Sequence, residues 1–184
     1  DDICSFGLGD WCPPEHQGGY GGSCPTALTS TGYYFANAHI LSETAKLAGK
    51  ADDAANFAAL ATRIRDSFNR RFYLGDGLYE GNCQTSQGCA LFWRLAPDGE
   101  DSKVFSKLVE LIEKNNGLLD YGILGAKYVP NVLADRGRAD LALRQILGPE
   151  YPSWGNWLRM GAESLWESWK GETSRNHIMF GDIG

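Results

Sequence analysis

Long apolar runs are missing from this chain. No stretch of about 18 apolar residues occurs among its 184, so nothing in it is built to cross a bilayer as a helix. Excess positive charge is missing too. The 17 Lys and Arg are outnumbered by 23 Asp and Glu, and the densest basic run, RIRDSFNRR at 63–71, is spaced like the wet side of a helix. At a net charge of −6 the chain is a poor partner for nucleic acid, whose binding rests on clustered cations neutralising phosphates. Histidine is scarce: His16, His39 and His177 do not fall at zinc spacing, and no two cysteines form a CxxC pair. No metal is therefore expected. The start carries no basic-then-apolar leader, an absence that says little about export.

The five cysteines, Cys4, Cys12, Cys24, Cys83 and Cys89, are expected to be small packed thiols. Their odd number leaves at least one free or paired outside the chain. Export would allow a bridge such as Cys83 with Cys89 across a short loop. No Cys–His pairing suggests a nucleophilic thiol.

What is present is helix. Residues 1–24 are rich in Gly and Pro and read as a loop, yet they hold Trp11 and Tyr20, which argues for a role. Pro25 suits a helix start. Apolar steps of three and four predict a helix over 26–50, with Leu28, Tyr34, Phe35, Ala38, Leu41, Ala45 and Leu47 on its inner face. Asp52 or Asp53 is expected to cap a second helix carrying Phe57, Leu60, Ile64, Phe68 and Phe72. Further helices are expected over 86–95, 101–116, 122–136, 138–147 and 151–160, with Pro130 kinking or dividing the fifth. The only strand candidates are 78–80 and 164–169. The class is all-α, built from helical hairpins, and a toroid is one of several helical arrangements that fit.

Residues 161–184, GAESLWESWKGETSRNHIMFGDIG, have a different character. Glu163, Glu167 and His177 lie close in sequence to Trp166 and Trp169. Indoles offer flat apolar faces, and carboxylates and imidazole move protons and bond hydroxyls. A sugar ring, with its apolar C–H patches and polar rim, needs that mixture. Glycoside hydrolysis ordinarily uses two carboxyl groups flanking the scissile bond. Glu167, between two indoles, is the candidate base, since partial desolvation there would suit it to take a proton. Its ordinary alternative is a solvated carboxylate. Glu163 is the second candidate and would share a face with Glu167 if the segment were helical.

These residues also carry a resemblance. LWESW followed by SRNHIMFGDIG, together with GLGDW at 7–11, TALTSTGYYFANAHILSETAKLAGK from Thr26, YGILGAKYVPNVLADRG from Tyr121 and YPSWGNWLRMGAESLWESW from Tyr151, resembles the bacterial-type α-L-rhamnosidases of glycoside hydrolase family seventy-eight. Five pieces in the same order cover nearly the whole chain. The resemblance implies part of an (α/α)6 barrel, with 1–184 a fragment of one glycosidase catalytic domain, cut at both ends. It implies inverting hydrolysis of terminal α-L-rhamnosyl residues, without cofactor. It matches Glu167 to the general base, His177 to a sugar contact and Trp11 to a tryptophan that packs on the sugar.

Asp10 is expected either to bind a hydroxyl or to cap the turn. Trp154 is expected either to line the cleft or to pack in the core. Glu163-Ser164 stands where the family usually has Thr-Thr, which weakens a catalytic role for Glu163. The family's upstream acidic motif has no counterpart here, and CPPEHQGG echoes it only superficially. The general acid is therefore expected in the remainder of the same polypeptide, and the fragment alone should be inactive. Faces such as those of Phe105, Leu108 and Ile112 are expected to lack partners. The expected partners are a rhamnose-containing carbohydrate and that remainder, with no nucleic acid and no membrane. Extracellular or periplasmic location is favoured, because such substrates lie outside the cell. A different (α/α) toroid enzyme, such as a lyase with Tyr151 or His177 as base, and a non-catalytic carbohydrate-binding fragment are the alternatives.

Overall fold

The computed structural model of the chain describes residues 2–15, 22–177 and 179–181. His16 and Tyr20 lie outside them. Among the described residues seven α-helices follow in order: α1 (Thr26–Leu47), α2 (Ala51–Phe72), α3 (Gln84–Phe92), α4 (Asp101–Lys114), α5 (Ile123–Asp135), α6 (Ala139–Leu147) and α7 (Trp154–Arg159). A two-stranded antiparallel ribbon, β1 (Tyr73–Gly75) and β2 (Leu78–Tyr79), sits between α2 and α3. β1 escapes sequence reading because three residues carry no period. The stretch 164–169 forms no strand, and 161–177 is not helical, so Glu163 and Glu167 do not share a helix face.

α1/α2, α3/α4 and α5/α6 are hairpins. The odd-numbered members touch in series, α1 on α3 and α3 on α5, and each even-numbered helix packs on one of them. The row is close-set because small residues face each other. A Cβ on Gly32 of α1 would lie 2.7 Å from the Cys89 sulfur of α3, and one on Gly88 of α3 would lie 2.9 Å from Val129 of α5. α3 is consequently buried on every side from Gln84 to Leu91.

Several expected details change. α1 buries Thr29, Thr31, Gly32, Ala36 and Ser42, while Leu41 and Leu47 are exposed. A helix that meets neighbours through small polar residues leaves no clean apolar stripe. Asp52 and Asp53 do not cap α2; both lie in its first turn, where negative charge is favourable against the positive end of the helix dipole. α5 runs through Pro130 without dividing, and Asn131 Nδ2 donates to the Lys127 carbonyl at 2.8 Å beside the missing N–H. α4 buries Val104, Leu108 and Ile112, so Leu108 and Ile112 are not open surface. Phe105 is half-buried beneath the Arg136 guanidinium, 5.3 Å from the ring centre.

None of the five cysteines forms a disulfide. Cys83 precedes α3 and Cys89 lies within it, so they stand six residues apart along one helix. At 1.5 Å per residue that is about 9 Å, beyond the reach of a disulfide.

Candidate active site

The site is organised around the turn that leads into α5. Helix starts leave N–H groups without partners. Here they are met by Asp10, more than a hundred residues away. Its Oδ1 accepts from Leu124 N–H at 2.9 Å and Gly125 N–H at 3.1 Å. Its Oδ2 accepts from Gly122 N–H at 2.8 Å and the Thr85 hydroxyl at 2.5 Å. The GLGDW loop, α3 and α5 thus meet on one buried carboxylate. Its roughly four acceptor positions are all occupied. Burial pushes the Asp10 carboxyl above its ordinary value, and the Thr85 and backbone bonds pull the other way.

Trp11 is fixed at the same place. The Ile123 N–H donates to its carbonyl at 2.9 Å. Gly122 has to be glycine here, since a Cβ would lie 2.1 Å from that carbonyl oxygen. The Trp11 side chain is partly buried against the core.

The segment 161–177 reaches this turn through its indoles. Trp169 is fully buried and its Nε1 donates to the Tyr121 carbonyl at 2.9 Å. Trp157 Nε1 in turn donates to the Trp169 carbonyl at 2.8 Å. Trp154 stands edge-on to Trp169 with ring centres 4.8 Å apart. These rings form a floor, and the segment folds back above it as an irregular hairpin. Glu167 N–H donates to the Ser174 carbonyl at 2.8 Å, and His177 N–H donates to the Leu165 carbonyl at 2.8 Å. Ser174 N–H donates to Glu167 Oε2 at 3.3 Å.

Glu167 is therefore half-exposed between the buried Trp166 and Trp169, on the same hairpin as His177. The buried Nδ1 of His177 has no hydrogen-bond partner among the described residues. Trp154 is buried and walls a hollow of about 400 Å³ with Trp157, Leu158, Leu165 and Glu163. Glu163 is exposed, and Glu167 does not line that hollow. Asp10, Trp11 and the Glu167 hairpin are thus gathered by the single turn 121–125, and Trp154 belongs to the floor below.

Sequence reasoning missed Asp120. Burial is the main cause raising its carboxyl to about 7, with the negative fields of Glu15 and Asp10 adding to it. The Gln84 N–H, at 3.2 Å, opposes the shift. It missed Arg175 and Ser174 as well. Gln84 and Gln87 are fully buried on α3, and Gln84 Nε2 donates to the Leu118 carbonyl at 2.9 Å. Among the described residues no three His, Cys, Asp or Glu converge as a metal-binding group, and no helix is long and apolar enough to cross a membrane.

Residues 1–184 match the family model of the bacterial α-L-rhamnosidase six-hairpin glycosidase domain. An α-L-rhamnosidase of Streptomyces avermitilis is 30% identical over 189 residues, covering 97% of this chain and 18% of the relative. The structure of the α-L-rhamnosidase from Dictyoglumus thermophilum superposes with a TM-score of 0.92 at 34% identity, over 100% of this chain and 21% of that one. The Streptomyces avermitilis α-L-rhamnosidase complexed with L-rhamnose superposes with a TM-score of 0.87 at 29% identity, over 98% and 18%. The chain thus spans about a fifth of the length of these relatives. Their six-hairpin domain is an (α/α)6 toroid, and the three hairpins seen here are of that class.

Proposed function

The chain belongs to the bacterial α-L-rhamnosidase six-hairpin glycosidase family, and on that premise we propose that it supplies the base side of an inverting hydrolysis of terminal α-L-rhamnosyl residues. The observation that carries this reading is the seat of Glu167. Its side chain is half-exposed next in sequence to the buried Trp166 and two residues before the buried Trp169, with one carboxylate oxygen accepting from the Ser174 N–H, on a hairpin tied through Trp169 to the turn that also holds Trp11. That a relative has been seen with L-rhamnose supports the choice of sugar.

In this mechanism Glu167 takes a proton from a water molecule on the face of the sugar opposite the leaving group. A second carboxyl group, supplied by the remainder of the same polypeptide, protonates the departing oxygen. The base needs no covalent bond to the sugar. Trp11 packs its indole on the ring's apolar face, and His177 bonds a hydroxyl. Asp10 holds the α5 turn so that Trp11 is presented in place. Trp154 supports the floor beneath Glu167.

The two ends of the hairpin row support the need for the rest of the polypeptide. On the α1 side a cavity of about 670 Å³ is lined by Ile3, Leu8, Tyr33, Tyr34 and Leu124, with Phe6 also at its rim. On the α6–α7 side lies the hollow walled by Trp154 and Leu158. We assign both as seams of a closed toroid.

The test is Glu167→Gln in the full-length enzyme. Glutamine keeps the size and bonding but cannot accept the proton, so turnover of a nitrophenyl rhamnoside should fall roughly 10²–10⁴-fold, with little change in binding. Proton NMR of the first-formed sugar should show the inverted anomer. Near-normal turnover by this variant with loss in Glu163→Gln would move the role to Glu163, and an α-product at early times would rule out inversion.

A further inference from the structure

We propose that Arg175 is a positioning residue for the Glu167 carboxylate, acting through the loop between them; this rests on the reading of Glu167 as the base. The Ser174 N–H reaches Glu167 Oε2 at 3.3 Å, a long bond that sets direction only if Ser174 itself is held. The following residue holds it. Arg175 Nε–H donates to the Gly171 carbonyl at 3.0 Å, inside the same loop. Its guanidinium carbon lies 5.0 Å from the centre of the Trp166 ring, an attraction between a cation and an indole face. Its carbonyl accepts from the Ser164 hydroxyl.

These contacts bracket Glu167 on both sides. Trp166 precedes it and is buried, so it is a fixed point. Gly171 lies against that ring: a Cβ there would stand 2.3 Å from Trp166, and its φ of +68° also favours glycine. Arg175 therefore joins the floor, the turn of the loop and the returning segment that carries Ser174. Without it, the segment 167–174 keeps its main-chain pairing at one point but loses the side-chain clamp at its far end. A general base has to meet the proton it abstracts at hydrogen-bond distance, so small rotations of the carboxylate cost rate more than affinity.

The experiment uses the full-length enzyme and a nitrophenyl rhamnoside, with thermal melts showing that each variant is folded. Arg175→Ala should lower kcat roughly ten- to a hundredfold, the scale on which small misplacements of a catalytic group act. KM should change by less than about threefold, because a group acting only in the transition state lowers kcat and kcat/KM together. Arg175→Lys should recover part of the loss, since an ammonium can sit over the Trp166 ring but lacks the planar fork. In the Glu167→Gln background, Arg175→Ala should cost nothing further, because its effect passes through the carboxylate already removed. Full activity of Arg175→Ala beside an impaired Glu167→Gln would overturn the proposal and leave the base intact. An equal additional loss in the double variant would show a general structural role and overturn it too. Near-normal turnover of Glu167→Gln would remove the base reading itself, and this one with it.

Discussion

Asp120 is the residue whose surroundings make the sharpest statement about pH. Its carboxyl is raised to about 7 by burial, against an ordinary 3.8 in an unfolded chain. The folded protein therefore keeps a proton between about pH 4 and 7 that the unfolded chain gives up. The stabilisation from this group is complete below pH 4 and is lost as pH rises through 7. Asp120→Asn replaces the titrating group with a neutral one of the same shape. Relative to the parent, its unfolding free energy should rise by roughly 2–4 kcal/mol between pH 4.5 and 7.5. Urea midpoints at the two pH values measure it. Parallel pH curves for the two proteins would show that Asp120 is not the group responsible. Nothing in LLDYG marks this residue, because its environment is made by Gln84, Glu15 and Asp10, each distant in sequence. Glu167, by contrast, stands out by composition, flanked by indoles in a segment short of packing residues.

At the scale of elements, the start of α5 joins fold to site. Gly122 lets the Trp11 carbonyl approach and accept the Ile123 N–H at 2.9 Å. Gly122→Ala should force the GLGDW loop away, costing about 1–3 kcal/mol as overpacking does. It should also weaken rhamnose binding, because Trp11 moves with its carbonyl. Calorimetry on the full-length enzyme reads both, and a variant with unchanged melting and affinity would show that the loop relaxes freely. The helices most visible in the sequence are α2 and α4, whose apolar faces end in Ile64, Phe68 and Phe72 and in Val104, Leu108 and Ile112. α1 and α3 are less visible as packing surfaces, since they meet neighbours through Gly32, Gly88 and buried hydroxyls and amides. The hairpin above the indole floor has no period at all. Its form depends on Gly171, on Arg175 and on main-chain bonds that no pattern announces.

For the molecule as a whole, apolar side chains stand open at the two ends of the hairpin row. Phe6, Leu8, Ile40 and Leu41 are exposed near α1, and Leu143, Leu147, Leu158 and Met160 near α6 and α7. Clusters of that kind on a soluble protein ordinarily mark surfaces that another chain segment covers. A polypeptide of residues 1–184 alone should therefore associate at micromolar concentration, and sedimentation velocity should show species larger than the 20.2 kDa monomer. A single monomeric boundary with a cooperative melt would mean that the row is closed as it stands and would count against the seams proposed above.

The indole floor has a further consequence. Trp154, Trp157, Trp166 and Trp169 lie with neighbouring ring centres 4.8–6.2 Å apart, and Trp157 and Trp169 are stacked with 29° between their planes. Chromophores so close share their electronic excitations rather than absorb independently. Light taken up by one ring migrates among the four, and the sign and size of their circular dichroism depend on the angles between them. Trp166 is also the ring under Arg175, and Trp169 the ring tied to the α5 turn. The parts that seat the proposed base are therefore wired into one optical unit, which gives the protein a built-in spectroscopic signal for motion of the very hairpin that carries Glu167.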